Sequence, residues 1–363
     1  MSKLSQAVVE EAIKQIVDPY LELDLVAAQV VKKIVVDNNA VAISIVLPYP
    51  AKGYEAELRQ QVKKAVASIA ADASLTLTIG TEVLARSVQR GTTLLEGVKN
   101  VIAVASGKGG VGKSTTSVNL ALALVKEGAT VGLLDADIYG PSQPRMLGIA
   151  GRPESNDGKT MEPLEHYGVQ SMSIGYLIDE DSPMIWRGPM VTQALEQLLR
   201  ETNWHDLDYL VIDLPPGTGD IQLTLSQKIP VSGAIIVTTP QDIALLDARK
   251  GLKMFEKVGV DVLGIVENMS SHVCSQCGHE EHVFGAGGGV RMAEDYNVEL
   301  LGALPLDISI REHVDGGKPS VVAEPESKIA QTYVEIARRV AAKLALKSKD
   351  YSHKFPNIVI QNT

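Results

Sequence analysis

The chain has 363 residues, 45% hydrophobic and only 4% aromatic, so it can build about two or three aliphatic cores of ordinary domain size. A formal net charge of −10 argues against nucleic acid as a partner, because a broad nucleic-acid surface needs a basic face. No run approaches the ~18 apolar residues of a membrane span, and Met1–Gln15 lacks the apolar core of a signal peptide; a soluble, cytoplasmic protein is expected.

In chain order, Leu4–Ile16 has helical periodicity and Asp18-Pro19 breaks it. Val30–Val36 and Ala40–Leu47 read as strands around the turn Asp37-Asn38-Asn39. Pro48–Gly53 reads as a loop, Tyr54–Ala71 as an amphipathic helix and Leu75–Ile79 as a third strand. The order αββαβ over residues 1–82 makes a small α+β domain. Residues 83–98 are polar and read as a linker.

From 99 to 346 strands and helices alternate. The expected strands are 101–105, 130–134, 169–174, 208–213, 232–238, 260–266 and 299–304. The expected helices are 113–127, 190–200, 220–228, 242–257, 287–296 and 326–346. This alternation predicts an α/β domain with a mostly parallel sheet covered by helices, and ligands at the carboxyl ends of its strands. Trp186-Arg-Gly-Pro189 reads as packing, and Met161, Met172, Met184 and Met190 as core or gap fillers. Ile329, Tyr333, Ile336, Val340 and Leu344 form an apolar stripe on the last helix. It would serve a helix packed on the sheet or one lying on a membrane; its mildly basic character and lack of Trp or Phe favour packing. Residues 347–363 form a tail in which Ile358-Val-Ile360 would be able to dock as a short strand.

The first strand of this domain runs into Gly107-Lys-Gly-Gly-Val-Gly-Lys-Ser-Thr115, a match to the phosphate-loop template G-x-x-x-x-G-K-[ST]. A triphosphate needs many donors close together and no side chains in the way. Gly107, Gly109, Gly110 and Gly112, with Val111 between them, let successive N–H groups turn inward. Lys113 adds charge at the outer phosphates, Ser114 is placed to ligate Mg²⁺, and the helix opening near Lys113 and running through Thr115 presents its positive end. The next strand ends in Asp135-Ala-Asp137, where Asp137 suits a water-activating or Mg²⁺-associated role. Tyr209–Asp213 ends in a carboxylate expected beside Mg²⁺. Gly217 after it is placed to bring an N–H near a γ-phosphate, and Asp220 to cap the next helix.

Together these segments resemble the deviant phosphate-loop ATPases: the MinD/ParA positioning ATPases, the nitrogenase iron protein and the Mrp/ApbC-type iron–sulfur cluster carriers. The shared marks are Lys108-Gly-Gly-Val-Gly-Lys-Ser114, Asp135-Ala-Asp137 and Asp213-Leu-Pro-Pro-Gly217. The Mrp/ApbC branch is most similar, through Asp137-Ile-Tyr-Gly-Pro-Ser142, Asp213-Leu-Pro-Pro-Gly-Thr-Gly-Asp220, Glu267-Asn-Met269, and Cys274-Ser-Gln-Cys277 before Phe284-Gly-Ala-Gly-Gly-Gly289. The resemblance spans roughly residues 95–345. It implies a homodimer in which Lys108 reaches the partner's nucleotide, an adenine contact from Asn268, and an ATPase coupled to cluster transfer toward apo iron–sulfur proteins and scaffold proteins. The first domain, with Val17-Asp-Pro19 and Leu23-Asp-Leu-Val26, looks like the iron–sulfur assembly domain often fused to bacterial members. It has no cysteine, so partner docking suits it better than metal chemistry.

Cys274 and Cys277 are the only cysteines, which excludes a disulfide framework. Two thiolates are half of a Cys₄ set, and a dimer would hold one [4Fe–4S] cluster between its two pairs. Zinc bound with His279 and His282, a redox dithiol, or a buried structural pair are the other readings of this spacing. At the level of function, a positioning ATPase and a zinc-stabilised ATP-binding scaffold stand beside the cluster carrier.

Overall fold

The structure is a computed structural model that describes residues 4–89, 92, 94–178, 188–274 and 276–348. Helix α1 (Gln6–Ile13) starts at Ser5, whose Oγ accepts the Val8 N–H at 3.4 Å. Two short antiparallel strands follow, β1 (Val17–Asp18) and β2 (Leu23–Asp24). Asp18 ends this ladder in a buried turn: its carboxylate accepts the N–H groups of Tyr20 and Leu21 and the Tyr49 hydroxyl. Strands β3 (Val31–Asp37) and β4 (Ala40–Leu47) pair antiparallel, and α2 (Glu55–Ile69) crosses over so that β5 (Ser74–Thr81) joins β4 in parallel. Val41, Ile43, Ile45 and Leu47 alternate inward along β4. The αββαβ order is as read from the sequence; the β1–β2 ladder is an addition.

The second domain opens with β6 (Val98–Ala105), α3 (Lys113–Lys126), β7 (Val131–Asp135), α4 (Gln143–Leu147), β8 (Leu164–His166) and β9 (Val169–Ser173). It continues with α5 (Gly188–Arg200), β10 (Leu207–Asp213), α6 (Asp220–Lys228), β11 (Gly233–Thr238), α7 (Asp242–Lys257) and β12 (Val262–Glu267). A hairpin, β13 (His272–Val273) and β14 (Glu280–Glu281), precedes α8 (Gly288–Tyr296), β15 (Leu300–Ala303), α9 (Ile308–Asp315), α10 (Ser320–Ala323) and α11 (Lys328–Leu346). The main sheet has the order β15-β12-β11-β6-β10-β7-β9-β8, parallel throughout except for β8 against β9.

Its strands are apolar on both faces because helices cover both. Ile102, Val104, Val211 and Val237 face one core, shared with α3, α11 and the first domain. Val101, Ala103, Leu210 and Ile236 face the other, with α5 and α7. Tyr333, Ile336, Val340 and Leu344 are all buried, so the stripe on α11 is core and not a membrane face. Among the described residues no helix is long and apolar enough to cross a membrane.

Several expectations change. The segment 83–98 is not a free polar spacer: Val83, Arg86 and Leu95 are buried, and Val98 already belongs to β6. Its polar groups are tied down, with Arg86 N–H donating to Asn100 Oδ1 and the Gln89 amide to the Ser226 carbonyl. Such pairings leave no hydrophobic period for a sequence reading to detect. Met172 is fully buried as expected, but Met190 is half exposed on the first turn of α5. Met184, Trp186, Arg187 and Ile358–Ile360 lie outside the described residues.

Beside the core that the two domains share, the ion pair Arg338–Glu127 of the second domain hydrogen-bonds to the first domain through both of its members. Arg338 of α11 grips Glu127, just past the end of α3, with contacts of 2.8 and 3.0 Å, and its third nitrogen donates to the Tyr20 hydroxyl at 2.9 Å. Glu127 also accepts the Gly53 N–H from the first domain at 3.1 Å. Arg338→Met strands the buried carboxylate, so urea denaturation should show a loss of about 3 kcal/mol; a loss below about 1 kcal/mol would mean the clamp is replaceable by water.

Candidate nucleotide site and cysteine hairpin

The central strand β6 delivers the chain into the glycine loop, and the loop delivers it into α3. Gly112 has φ +85° and is the N-cap of α3 without any capping side chain, which leaves the first-turn N–H groups for an anion. A Cβ there would also collide with the Asn268 side chain. At Gly107 a Cβ would strike the backbone of Asp247. At Gly109 and Gly110, by contrast, a Cβ would meet nothing within 4 Å among the described residues, so these leave the loop open on the side where phosphates are expected.

Behind the loop lies a dense polar network. Lys113 Nζ is 2.6 Å from Asp213 Oδ1, with the lysine 6% exposed and the aspartate fully buried. The same ammonium donates to Ser114 Oγ at 3.2 Å. Asp213 Oδ1 accepts the Ser117 hydroxyl at 2.8 Å, and Oδ2 accepts Gln143 Nε2 at 3.0 Å. Ser114 and Asp213 therefore direct hard oxygen donors at one cation, here the lysine ammonium, and this donor set fits Mg²⁺.

Asp135 is a scaffold rather than an open ligand. Its carboxylate accepts the N–H groups of Asp137, Ser142 and Gln143 and the Ser173 hydroxyl, at 2.9 to 3.1 Å. Burial, then the nearby Asp213 charge, pushes it up to about 7, against those N–H bonds and Lys113. Asp137 is less enclosed; burial raises its carboxyl while Lys113 opposes the rise.

Two loop expectations need correction. The Gly217 N–H is already committed to the Ser106 carbonyl at 2.9 Å, which closes the loop after β10 onto the phosphate loop instead of leaving a free donor. Asp220 is the first residue of α6, while Gly219 is its N-cap, so the carboxylate complements the helix dipole but does not cap it. Lys108 Nζ donates to Gln241 Oε1 at 3.4 Å, at the start of α7.

Asn268 follows β12, is 7% exposed, and donates from Nδ2 to the Val111 carbonyl at 2.9 Å, so it buttresses the phosphate loop directly. Six residues on, the β13–β14 hairpin presents Cys274, half-buried, and Cys277, exposed. The turn is fixed by Cys274 N–H to the His279 carbonyl at 2.9 Å and Gly278 N–H to the Cys274 carbonyl at 2.8 Å. The N–H groups of Cys277 and Gln276, then the Cys277 side chain, hold the Cys274 thiol below its usual range, which favours the metal-binding thiolate. His282 instead bonds the Ser270 carbonyl through Nδ1. Among the described residues no three His, Cys, Asp or Glu side chains converge on a metal position.

The sequence reading missed Ser117, Gln143 and Ser173. A serine four residues past the loop is detectable by helical spacing from Lys113. Gln143 and Ser173 carry no motif and enter only through the fold.

A parallel sheet whose middle strand runs through a glycine loop into a helix, with a strand-end aspartate beside the loop lysine, defines a P-loop NTPase. The chain belongs to the ParA/NUBPL family of iron-transfer P-loop NTPases, which it matches over residues 97–341, and residues 6–77 match the iron–sulfur cluster assembly protein family. It is 52% identical over 337 residues to the iron-sulfur cluster carrier protein of Haemophilus influenzae, covering 93% of this chain and 91% of that one. The nucleotide-binding protein of Archaeoglobus fulgidus, solved in complex with ADP, superposes with a TM-score of 0.56 at 38% identity, over 64% of this chain and 90% of that one. The cell division ATPase MinD of Pyrococcus furiosus superposes with a TM-score of 0.50 at 25% identity, over 66% and 98%.

Gly112→Ala tests the loop. The left-handed φ and the collision with Asn268 should weaken ADP binding about tenfold or more while circular dichroism stays native. Unchanged affinity would mean the loop is not the phosphate cradle.

Proposed function

We propose that this protein is an ATP-dependent iron–sulfur cluster carrier acting as a homodimer. The observation that carries the reading is the Cys274–Cys277 hairpin, whose first thiol lies six residues beyond Asn268, a side chain that touches the phosphate loop. Two thiols per chain suit a [4Fe–4S] cargo shared by two chains, four thiolates in all. Val273 and Val283, both exposed beside the hairpin, suit an interface there. The iron-sulfur cluster carrier protein named above supports the same cargo.

In this reading the N–H groups of Gly107–Thr115 and the Lys113 ammonium bind the phosphates of ATP. Ser114 and Asp213 would hold Mg²⁺, which neutralises charge on the phosphates. Lys113 must leave Asp213 partly or wholly to reach a phosphate, so nucleotide binding and the Asp213 carboxylate are coupled. Asp137, the least enclosed carboxylate of the group, positions and deprotonates the attacking water. Lys108 crosses to the partner's nucleotide, and Asn268 contacts adenine through its amide. Hydrolysis is slow because the Gly217–Ser106 bond holds the loop after β10 closed until the dimer rearranges. The first domain, clamped at Glu127 and lacking cysteine, docks apoproteins or scaffold proteins.

A zinc scaffold is not favoured, since His279 and His282 do not join the thiols. A positioning ATPase has no use for the cysteine hairpin.

Anaerobic reconstitution should load wild type with a cluster and leave the Cys274→Ala/Cys277→Ala double variant empty but still able to bind ATP. Equal cluster content in both would sink the assignment. For the trans lysine, Lys108→Ala should retain nucleotide affinity within about threefold yet lose at least about a hundredfold in hydrolysis, the scale of a charge supplied across an interface. Parallel loss of binding and turnover would place Lys108 in its own chain's pocket.

A further inference from the structure

Gln143 is fully buried at the start of α4 and touches three parts of the nucleotide site at once. Its backbone N–H donates to Asp135 Oδ2 at 3.0 Å, at the end of β7. Its side-chain nitrogen donates to the Ser114 carbonyl at 3.1 Å and to Asp213 Oδ2 at 3.0 Å. The Ser114 carbonyl is acceptor-only, and so is Asp213 when ionised opposite Lys113, so the amide orientation follows from the chemistry. The nitrogen must face them and the oxygen must face away.

That oxygen, Gln143 Oε1, is buried and among the described residues has no hydrogen-bond partner, and neither has the neighbouring Ser142 Oγ. Buried acceptors in native proteins are almost always met by a donor. The nearby ammonium, Lys113, is engaged by Asp213 and Ser114. Phosphate oxygens and carboxylates are acceptors and cannot meet this need. Water held by a divalent cation is a strong donor and suits it.

We infer that Gln143 is a positioning residue for the metal side of the nucleotide site: its amide nitrogen ties Asp213 to the backbone beside Ser114, and its free oxygen accepts a hydrogen bond from the hydration shell of the nucleotide's metal ion. This rests on the Mg²⁺ reading of Ser114 and Asp213 above. Gln143 touches no reacting atom; it fixes the spacing of the groups that hold the cation. A purely structural glutamine would support the fold with or without metal. The positioning role predicts a defect that exists only when metal is present.

The test is ADP affinity measured by calorimetry, once with a chelator and once with millimolar Mg²⁺, for wild type, Gln143→Met and Gln143→Leu. Wild type should bind more tightly with Mg²⁺. Both variants should keep the chelator affinity within about twofold while the gain from Mg²⁺ falls about tenfold, the worth of a charge-assisted hydrogen bond. A full Mg²⁺ gain in the variants overturns the proposal. So does a collapse of the chelator affinity in both variants, which assigns Gln143 to folding alone. If wild type itself shows no Mg²⁺ gain, the metal reading of Ser114 and Asp213 fails first.

Discussion

The ammonium of Lys113 and the carboxylate of Asp213, 2.6 Å apart and shut off from solvent, stand where the adjacent strands β6 and β10 end. Burying either charge alone costs several kcal/mol. The pair is tolerated because its remaining hydrogen-bonding capacity is met by Ser114, Ser117 and Gln143. Each of these residues comes from the phosphate-loop helix or from α4, so satisfying the pair also fixes the loop, the oxygen donors of Ser114 and Asp213 and the segment after β7. A ligand that competes for Lys113 must loosen this whole arrangement.

The same helix carries the constraint away from the site. α3 begins at Lys113 and spans 14 residues, about 21 Å of rigid rod. At its far end Glu127 is held by Arg338 and by the backbone of the first domain. On the other side of the loop, Asn268 joins Val111 to the chain leading into the cysteine hairpin. The phosphate loop is thus joined to the first domain along α3 and to the cysteine hairpin through the Asn268–Val111 hydrogen bond and the six residues of chain that follow.

The phosphate loop was legible because four glycines and a lysine at fixed spacing have few other uses, and the strands were legible as apolar runs buried on both faces. Asp213 could be placed because such a run ended in it. What the sequence hid depends on partners far along the chain. Gln143 meets Asp213 only after α4 folds back across the site, and Arg338 meets Glu127 only when α11 packs on α3. Gly217 was misjudged because a free N–H and one bonded to Ser106 have the same sequence. The antiparallel strand β8 is three residues long, too short for a period.

In this P-loop NTPase of the iron-transfer family the thiol hairpin follows β12, two strands away from the β6 that feeds the nucleotide loop, and the proposed coupling of nucleotide state to a sulfur-held cargo rests on that placement. The most direct measurement is the metal and acid-labile sulfide content of the wild-type protein purified without oxygen, with its mass determined in the same preparation. About four iron and four sulfide per two chains is the expected result for one cluster between two cysteine pairs. Stoichiometric zinc without sulfide, in a monomer, would contradict the account.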